Sequence, residues 1–373
     1  MNSKAIIAGG SLGGLMTGIA LKSVGVDAHI YERSPRALDD RGAGIVMQAE
    51  TETFLTQCAG LRPEQTGVWL KYRQYLNREG RPDSYQEMPQ LMTSWGLIYR
   101  ALRGAFSSVC YHEGATLKGF SQTDHGVTAN FDGAGNMTAD LLVGADGSRS
   151  FVRQKLMPDV KPHYAGYVAW RGVVPESSAN ALLTKTFVNH FTFQQMERSH
   201  ILCYLIPGAK GETEPGKRRI NWVWYWNVPQ AELSGLMTGV DGRERDFSVP
   251  PGQVREEWFI KQDAIAAKVL CPQFLELWRA TETPFLQPIL DLAVPRMVQG
   301  RVVLLGDAAF IPRPHTGAST SKAGANALAL GRSLQKFPGD MDAALSEWET
   351  DQLALGRHLE RNGKALGDRS QFS

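Results

Sequence analysis

The sequence is poor in the features that mark several common classes of protein. Its 373 residues include only four cysteines, Cys58, Cys110, Cys203 and Cys271, which are widely spaced and form no C-x-x-C pair. This spacing predicts neither a zinc site nor a disulfide framework, and we expect no metal. It favours a reducing, cytoplasmic setting.

An excess of charge of one sign is also missing. Lys and Arg number 40 against 38 Asp and Glu, which gives a formal net charge of +2, whereas nucleic-acid binders usually carry a clear basic excess. No apolar run approaches the roughly 18 residues of a membrane span. The start, MNSKAIIAGG, has too short an apolar run for a signal peptide. We therefore expect neither a nucleic-acid partner nor a membrane.

What the sequence does have is a glycine-rich turn near its start. A strand over residues 4–8, a turn with Gly9, Ser11 and Gly14, a helix over 13–24 and a strand ending in Glu32 follow one another. This order is typical of a dinucleotide site, where the helix start binds a pyrophosphate and the acid binds a ribose. Ser11 replaces the usual middle glycine, and its hydroxyl can donate to a phosphate. The alternative is a plain strand-to-helix turn without a nucleotide.

Two later motifs strengthen the nucleotide interpretation. In GADGSRSFVR a strand runs into Asp146, and in VVLLGDAA another strand runs into Asp307. Each acid lies beside a glycine at the carboxyl end of a strand, where open α/β sheets place ligands. Taken singly, each motif is more often an ordinary turn.

Taken in order along the whole chain, the three motifs resemble those of the single-component FAD-dependent aromatic hydroxylases. HYAGYVAWRGVVP, INWVWYWNVP and IPRPHTGAS narrow the resemblance to the dihydroxypyridine-hydroxylase branch. The resemblance implies an α/β fold, in which a Rossmann-like FAD-binding domain is interleaved with a smaller, mostly antiparallel substrate domain. The FAD-binding segments would be 1–66, 99–161 and 286–373. The substrate domain would take 67–98 and 162–285, with strands over 187–195, 200–206 and 220–227.

The resemblance also implies which residues bind FAD. Glu32 would hold the adenosine ribose, Asp307 the ribityl chain, and the backbone near Ser319 the negative charge of the reduced ring. Arg100 would reach the ribityl chain, although a helix-surface arginine is an equal alternative. The full set is Gly9, Ser11, Leu12, Gly14, Glu32, Arg33, Arg41, Val46, Gln48, Arg100, Asp146, Asp307, Pro314, Gly317, Ala318 and Ser319.

For catalysis, the resemblance implies that Pro314 lies beside the reacting face of the ring. His315, next to it in the motif, could orient the substrate or relay its proton, and the alternative is a plain turn residue. Tyr225 is expected to face the substrate and take part in catalysis. His190, Gln194 and Tyr204 are the other polar residues of the predicted strands that could contact a substrate. Trp222, Trp224 and Trp226 share one face of the last strand, where core packing is the plainer interpretation. Phe310, Ala325-Asn326 and 317–319 depart from frequent family patterns.

The implied activity is a monooxygenase. NADH or NADPH would reduce FAD, dioxygen would form a flavin hydroperoxide, and an electron-rich ring would be hydroxylated. A (di)hydroxypyridine leads as the small aromatic substrate, with a phenol or hydroxybenzoate second. A flavin-dependent halogenase, a flavin-binding protein without turnover, and an oxidase or dehydrogenase remain as alternatives. A homodimer is expected from the family alone.

Overall fold

The computed structural model describes residues 3–36, 38 and 43–372, so Arg41 lies outside the described residues. The strands are β1 (Lys4–Ala8), β2 (Asp27–Glu32), β3 (Gly44–Val46), β4 (Val68–Leu76), β5 (Pro82–Ser94), β6 (Tyr111–Glu113), β7 (Thr116–Thr123), β8 (Gly126–Asp132), β9 (Gly135–Ala139), β10 (Leu141–Gly144), β11 (His163–Pro175), β12 (His190–Met196), β13 (Ser199–Ile206), β14 (Arg219–Asn227), β15 (Phe285–Ala293), β16 (Val298–Gln299), β17 (Val302–Leu304) and β18 (Phe310–Ile311).

The helices alternate with these strands along the chain. They are α1 (Leu12–Ser23), α2 (Ala49–Thr53), α3 (Trp95–Ala105), α4 (Phe151–Leu156), α5 (Ala181–Phe187), α6 (Gln230–Met237), α7 (Glu256–Val269), α8 (Pro272–Arg279), α9 (Ser319–Lys336) and α10 (Met341–Gln371). None of the helices in the described part of the chain is both long and apolar enough to cross a bilayer.

The first sheet has the strand order β16-β17-β10-β1-β2-β6. Its strands β17, β10, β1, β2 and β6 run parallel, and β16 is antiparallel at the edge. The central strands are apolar on both faces, as a covered parallel sheet requires. Because the carboxyl ends of parallel strands meet at one edge, Gly9, Glu32, Asp146 and Asp307 all lie at or just beyond that edge.

The second sheet has nine strands in the order β18-β15-β11-β14-β13-β12-β4-β5-β3. Most of its pairs are antiparallel, whereas β12 and β4 run parallel. Three of its strands, β3, β15 and β18, come from chain segments that lie mostly or wholly within the predicted FAD-binding part. The two parts of the fold are therefore joined through one continuous sheet.

The two faces of this nine-stranded sheet differ in chemistry. The rear face, which carries Trp170, Trp222 and Trp224, is covered by helices α5 to α8 and packs into a large apolar cluster. The front face, which carries Tyr167, Arg171, Tyr204 and Tyr225, has a small apolar cluster around Tyr167 and Tyr225. The alternation of Trp222, Val223, Trp224 and Tyr225 along β14 produces this separation.

One predicted strand start is wrong. Residue Phe187 belongs to helix α5, and the strand begins only at His190. The side chain of Asn180 caps α5 by accepting from the amide of Leu183, while Leu183 and Phe187 are buried four residues apart on one helix face. A three-stranded antiparallel sheet, β7-β8-β9, packs beside the first sheet, where Phe131 stacks on Tyr31.

The two neighbouring glycines at the start of α1 should respond differently to alanine. A Cβ on Gly14 would lie 1.9 Å from the Gly9 carbonyl oxygen, whereas a Cβ on Gly13 would be no closer than 3.5 Å to any neighbouring residue. We expect Gly14→Ala to lower the free energy of unfolding by about 1–3 kcal/mol or more. Gly13→Ala should leave it unchanged or raise it by up to about 1 kcal/mol, because alanine favours a helix. Urea unfolding of the FAD-free protein measures both, and equal effects would contradict the close packing.

Candidate active site

The loop after β1 is built around a close backbone approach. Gly9 has a φ of +107°, and a Cβ there would lie 2.4 Å from the carbonyl oxygen of Ala145 in the loop after β10. Only glycine fits both the conformation and the space. Ser11 is the N-cap of α1, yet its side chain makes no capping hydrogen bond. The Ser11 hydroxyl and the first amides of α1 can therefore serve a ligand at this helix start.

Glu32 is held at the end of β2 beside this loop. Its Oε2 accepts from the amide of Gly10 at 2.7 Å, and its Oε1 accepts from the amide of Ser34 at 2.8 Å. The side chain is buried, and each oxygen still has a lone pair for a hydroxyl. Arg33 is exposed next to it, and Leu12 is buried in the core.

Asp146 caps helix α4 with one carboxylate oxygen. Its Oδ2 accepts from the amides of Phe151 at 2.7 Å and Val152 at 3.1 Å. Its Oδ1 is buried and has no hydrogen-bond partner among the described residues. Burial raises the pKa of Asp146, and the hydrogen bonds from the helix oppose that rise. One oxygen is thus structural, and the other is left for a donor.

Arg153, which the sequence reasoning missed, ties two of the motif loops together. It is almost fully buried, and its guanidinium donates to the carbonyls of Ala308 at 3.0 Å and Ser148 at 2.7 Å. These carbonyls belong to the loops after β17 and β10. The second arginine of SRSFVRQ, which directly follows the apolar Phe151 and Val152, was the available signal, because a charge on the buried side of a helix needs a partner.

Asp307 forms an ion pair with a buried lysine, Lys322, which the sequence did not predict. Lys322 in α9 is buried, and its ammonium donates to Asp307 Oδ1 at 2.9 Å and also to the carbonyl of Phe310. The hydroxyl of Ser319 donates to the same Asp307 oxygen at 3.0 Å. The carboxylate is partly exposed, so its other oxygen can accept from a ligand hydroxyl. The available signal for this pair was Lys322, a charged residue among the small residues of the first half of α9.

The segment after β3 meets the loop before α9. A Cβ on Gly317 would lie 3.4 Å from Gln48 Nε2 and 3.8 Å from the Cβ of Val46. Gln48 also accepts a hydrogen bond from the Ser321 hydroxyl. Pro314 is exposed and opens the short turn that ends at Gly317, where φ is +63°, and Ala318 is buried. The structure therefore brings Val46, Gln48, Pro314 and Gly317 to one place.

Arg100 lies away from these loops, beside the 207–219 segment. Its Nη2 would be 3.5 Å from a Cβ on Gly211, and that nitrogen is buried without a hydrogen-bond partner in the described part of the chain. Arg219 is close enough for the charge of Arg100 to lower its pKa further, after burial has already done so. The open donor of Arg100 is suited to an oxygen-rich ligand.

The front face of the nine-stranded sheet carries a polar cluster. The hydroxyl of Tyr167 is 2.8 Å from Nε2 of His315, and the rings of His315 and Tyr225 have centroids 4.7 Å apart. His200, opposite Tyr225 on β13, has its ring 5.3 Å from that of His315. Tyr204 lies further along the same face, where it and Asn221 would meet a Cβ on Gly44. The sequence-predicted His315, Tyr225 and Tyr204 thus share one surface.

Arg171 is the residue of this face that the sequence reasoning missed. Its Nη1 donates to Gln287 Oε1 at 2.8 Å, but its Nε is buried and has no partner among the described residues. Its charge opposes the rise that burial causes in the pKa values of Tyr204 and Tyr225. No carboxylate within the described ranges pairs with it. An arginine in the middle of a predicted strand was the available signal.

The structure does not bring His190 and Gln194 to this cluster. Both lie on the rear side of β12, where Gln194 donates to the carbonyl of Val269 at 2.8 Å and accepts from the amide of Cys271 at 2.9 Å. His190 stacks near Tyr72, a residue of β4. We therefore correct both substrate-contact predictions, because alternation along a strand does not tell which face is covered.

Both histidines of the front cluster are neutral; His200 is buried and His315 is half-buried. Burial lowers the pKa of His315 to about 3, with the charges of His200 and Arg313 acting in the same direction. Burial alone lowers the pKa of His200 to about 4. Burial also raises the pKa values of Tyr167 and Tyr225, so both phenols keep their protons. Two charged groups lie beside these neutral ones: Arg313, which is paired with Asp291, and Arg171, which has no ion pair among the described residues.

The residues at the edge of the parallel sheet fit a flavin dinucleotide. The uncapped start of α1, the open oxygen of Asp146 and the free acceptor of Asp307 supply the donors and acceptors that a pyrophosphate and a ribityl chain need. The turn at Gly317 lies directly beside Val46 and Gln48. The fold and this site define a flavoprotein, and residues 164–291 match the family model described as "FAD binding domain-like".

Comparison with known proteins narrows this class. The chain is 34% identical over 98% of its length to the 2,6-dihydroxypyridine 3-monooxygenase of Paenarthrobacter nicotinovorans, 91% of which is covered. The structure of 2,6-dihydroxypyridine-3-hydroxylase from Arthrobacter nicotinovorans superposes with a TM-score of 0.93 over all of this chain and 93% of that one, at 32% identity. A 3-amino-4-hydroxybenzoate 2-monooxygenase of Streptomyces cremeus is 24% identical over 97% of this chain and 86% of its own.

The chain therefore belongs to the FAD-dependent aromatic hydroxylases. It is a flavoprotein monooxygenase with FAD as cofactor and NAD(P)H as the reductant usual in this family. The fold predicted from the sequence is confirmed. Dioxygen and a small aromatic ring are the co-substrates of such enzymes.

The ion pair between the buried Lys322 and Asp307 should be needed for FAD binding. Lys322→Met removes the ammonium that fixes Asp307 and leaves the Phe310 carbonyl without its donor. We expect FAD affinity to fall about ten- to hundredfold, the size of a lost charge-assisted hydrogen bond. Titration of FAD into the deflavinated protein measures it. The control is Lys336→Met on the same helix, where the lysine is exposed and pairs with Glu347; an equal loss in both variants would contradict the role.

The neutral histidines should make the protein less stable in mild acid. An unfolded histidine has a pKa of about 6.5, whereas that of His315 in the folded protein is about 3. Between these values the unfolded state binds the extra proton, so stability falls as the pH drops from 7 to 5, by about 1–2 kcal/mol per buried histidine. His315→Gln should show a smaller fall in urea unfolding experiments than the wild type. His125→Gln, at an exposed turn, should not, and an unchanged fall in His315→Gln would refute the assignment.

Proposed function

We propose that the protein hydroxylates a hydroxylated pyridine-type ring that binds as an anion on the front face of the nine-stranded sheet. A sequence relative at 34% identity and a solved structure at 32% identity are both named for 2,6-dihydroxypyridine, which supports this class of substrate. Their names speak of monooxygenation or hydroxylation, which favours that reaction over halogenation or simple oxidation. A phenolic substrate ranks second, because the relative named for an aminohydroxybenzoate is more distant.

The observation that carries the proposal is the unpaired cation on this face. Arg171 has a buried, unpartnered Nε–H and no ion pair within the described residues, and it lies close to Tyr204 and Tyr225. A guanidinium in this setting favours a negatively charged oxygen, because the charge is only partly screened. Hydroxypyridines readily lose the proton of a ring hydroxyl or of the ring nitrogen and become anions. The resulting anion is also the form that pushes electrons toward the carbon that is hydroxylated.

His315 and Tyr167 can move the proton that the ring loses. Nε2 of His315 is 2.8 Å from the Tyr167 hydroxyl, so one of these atoms donates to the other. With its low pKa, His315 passes a proton on rather than holding it at neutral pH. Tyr225, whose ring faces His315, keeps its phenol protonated and can donate to a ring oxygen. Pro314 would border the reacting side of the flavin.

FAD, when bound, supplies the oxygen-activating chemistry, and NADH or NADPH supplies its electrons. The chain's own part is to hold the cofactor through the predicted residues at the sheet edge. The front face orients the ring and sets its charge, and the buried tyrosines limit the access of water. The family resemblance alone supports a homodimer, and the cysteine pattern supports a cytoplasmic setting.

Replacing Arg171 should weaken binding of an ionised ring. We expect Arg171→Met to raise the dissociation constant of 2,6-dihydroxypyridine about 10- to 100-fold, with more hydrogen peroxide formed per NAD(P)H consumed, because a charged hydrogen bond is lost. Perturbation of the flavin absorbance measures binding, and isotopically labelled dioxygen shows whether product carries the new oxygen. Arg279→Met, at an exposed ion pair with Asp263, is the matched control. Unchanged affinity in Arg171→Met, or unlabelled product from the wild type, would overturn the proposal.

A further inference from the structure

A cavity lies behind the nine-stranded sheet, away from the front face. This rear cavity has a volume of about 110 Å³ and lies between the rear face of the sheet and helices α6 and α7. The lining residues that matter here are Trp170, Trp226, Glu232, Trp258, Gln262 and Ile265. Three indole rings therefore form much of its wall. None of these residues takes part in the flavin or ring sites described above.

Two buried N–H donors of the lining side chains have no partner. Trp170 is 1% exposed and Gln262 is 4% exposed, yet neither Trp170 Nε1 nor Gln262 Nε2 has a hydrogen bond within the described part of the chain. Nearby buried indoles behave differently: Trp222 donates to Thr281 at 2.8 Å and Trp224 donates to Ser199 at 3.0 Å. A buried donor left without an acceptor costs about 1–3 kcal/mol. The N–H groups of Trp170 and Gln262 beside the rear cavity therefore lack a hydrogen-bond acceptor.

The charges beside the cavity cancel. Lys261 pairs with Glu232 at 2.8 Å, and both side chains are about half exposed. The Lys261 ammonium also lies 4.9 Å from the centre of the Trp258 ring. Because the two charges satisfy each other, the cavity offers an ionised ligand no free counter-charge. It suits an uncharged molecule instead.

We infer that the rear cavity is a binding site for a small, uncharged, planar ring with one carbonyl oxygen, which accepts hydrogen bonds from Trp170 and Gln262. Flat indole walls suit such a ring, because aromatic pairs attract in stacked and edge-on arrangements. A water molecule needs only about 10–15 Å³ of such space, so a single water would leave most of the cavity empty. An apolar cavity of about 150 Å³ elsewhere holds benzene, which is of the same order of size.

The inference does not rest on the proposed function, because the ligand chemistry follows from the cavity alone. The test uses 1-methyl-2-pyridone, an uncharged ring with one carbonyl. Its nitrogen carries a methyl group, so the ring has no acidic N–H or O–H proton and does not form the anion proposed for the front face. Toluene serves as the matched ring without the oxygen. Tryptophan emission of the FAD-loaded enzyme reports the rear cavity, and flavin absorbance reports the front site.

We expect 1-methyl-2-pyridone to change the tryptophan emission saturably with one equivalent bound and little change in flavin absorbance. Toluene should bind at least tenfold more weakly. Ile265→Phe fills the cavity and should weaken pyridone binding at least tenfold without changing turnover. Ile260→Phe, at an exposed position on the same helix, should not. Gln262→Leu removes one of the two donors at nearly constant volume and should reduce the preference for the pyridone over toluene, because only Trp170 is left to donate.

Three results would overturn the inference. The first is no saturable emission change in the wild type. The second is equal pyridone binding by wild type, Ile265→Phe and Gln262→Leu. The third is a crystal soaked with the pyridone that shows only water in the rear cavity. Failure of the front-face proposal is separate, because it appears in the flavin absorbance titration with an ionised ring and in the Arg171→Met variant.

Discussion

The whole site depends on how closely two loops of the parallel sheet approach each other. The backbone at Gly9 lies so near the Ala145 carbonyl that a single Cβ would come within 2.4 Å of it. This contact sets where α1 begins and brings its free amides beside Glu32 and Asp146. Without it, the acids at the strand ends would still exist, but they would not surround a common space. The glycine turn is thus a packing requirement first and a ligand site second.

Buried cations then fix the loops around that space. Arg153 joins the loops after β10 and β17, and Lys322 joins α9 to Asp307. Arg313, in the loop after β18, ties β15 of the nine-stranded sheet to helix α10, because it donates to Asp291 at 2.9 Å and to Asp368. Each cation is almost fully buried, so removing its partner would leave an uncompensated charge. The nine-stranded sheet is thereby held at a fixed position relative to the flavin loops.

The positions of the strand-end acids Glu32, Asp146 and Asp307 could be predicted because they follow from local order along the chain: a strand, a glycine and an acid. Their partners could not. Whether Lys322 or Arg171 faces a carboxylate, an amide or nothing is decided by residues more than ten positions away, and sequence periodicity carries no record of that. The errors at His190 and Gln194 have a related cause. Alternation along β12 separates two faces correctly, but only the helices packed behind the sheet decide which face is covered.

The same alternation explains how one sheet offers two different chemical surfaces. Along β14, even-numbered residues place tryptophans under the helices, and odd-numbered residues place Val223 and Tyr225 on the front. On the front, burial keeps tyrosines protonated and histidines neutral, so Arg171 becomes the charge that a ligand meets. At the rear, Lys261 and Glu232 neutralise each other. A charged ring would gain an ion pair with Arg171 on the front, whereas at the rear it would lose its hydration and find no counter-charge. An uncharged ring loses little hydration at the rear and gains no ion pair on the front. The two proposals thus give one sheet two surfaces that select ligands of different charge, and the strand pleat decides which surface each side chain joins.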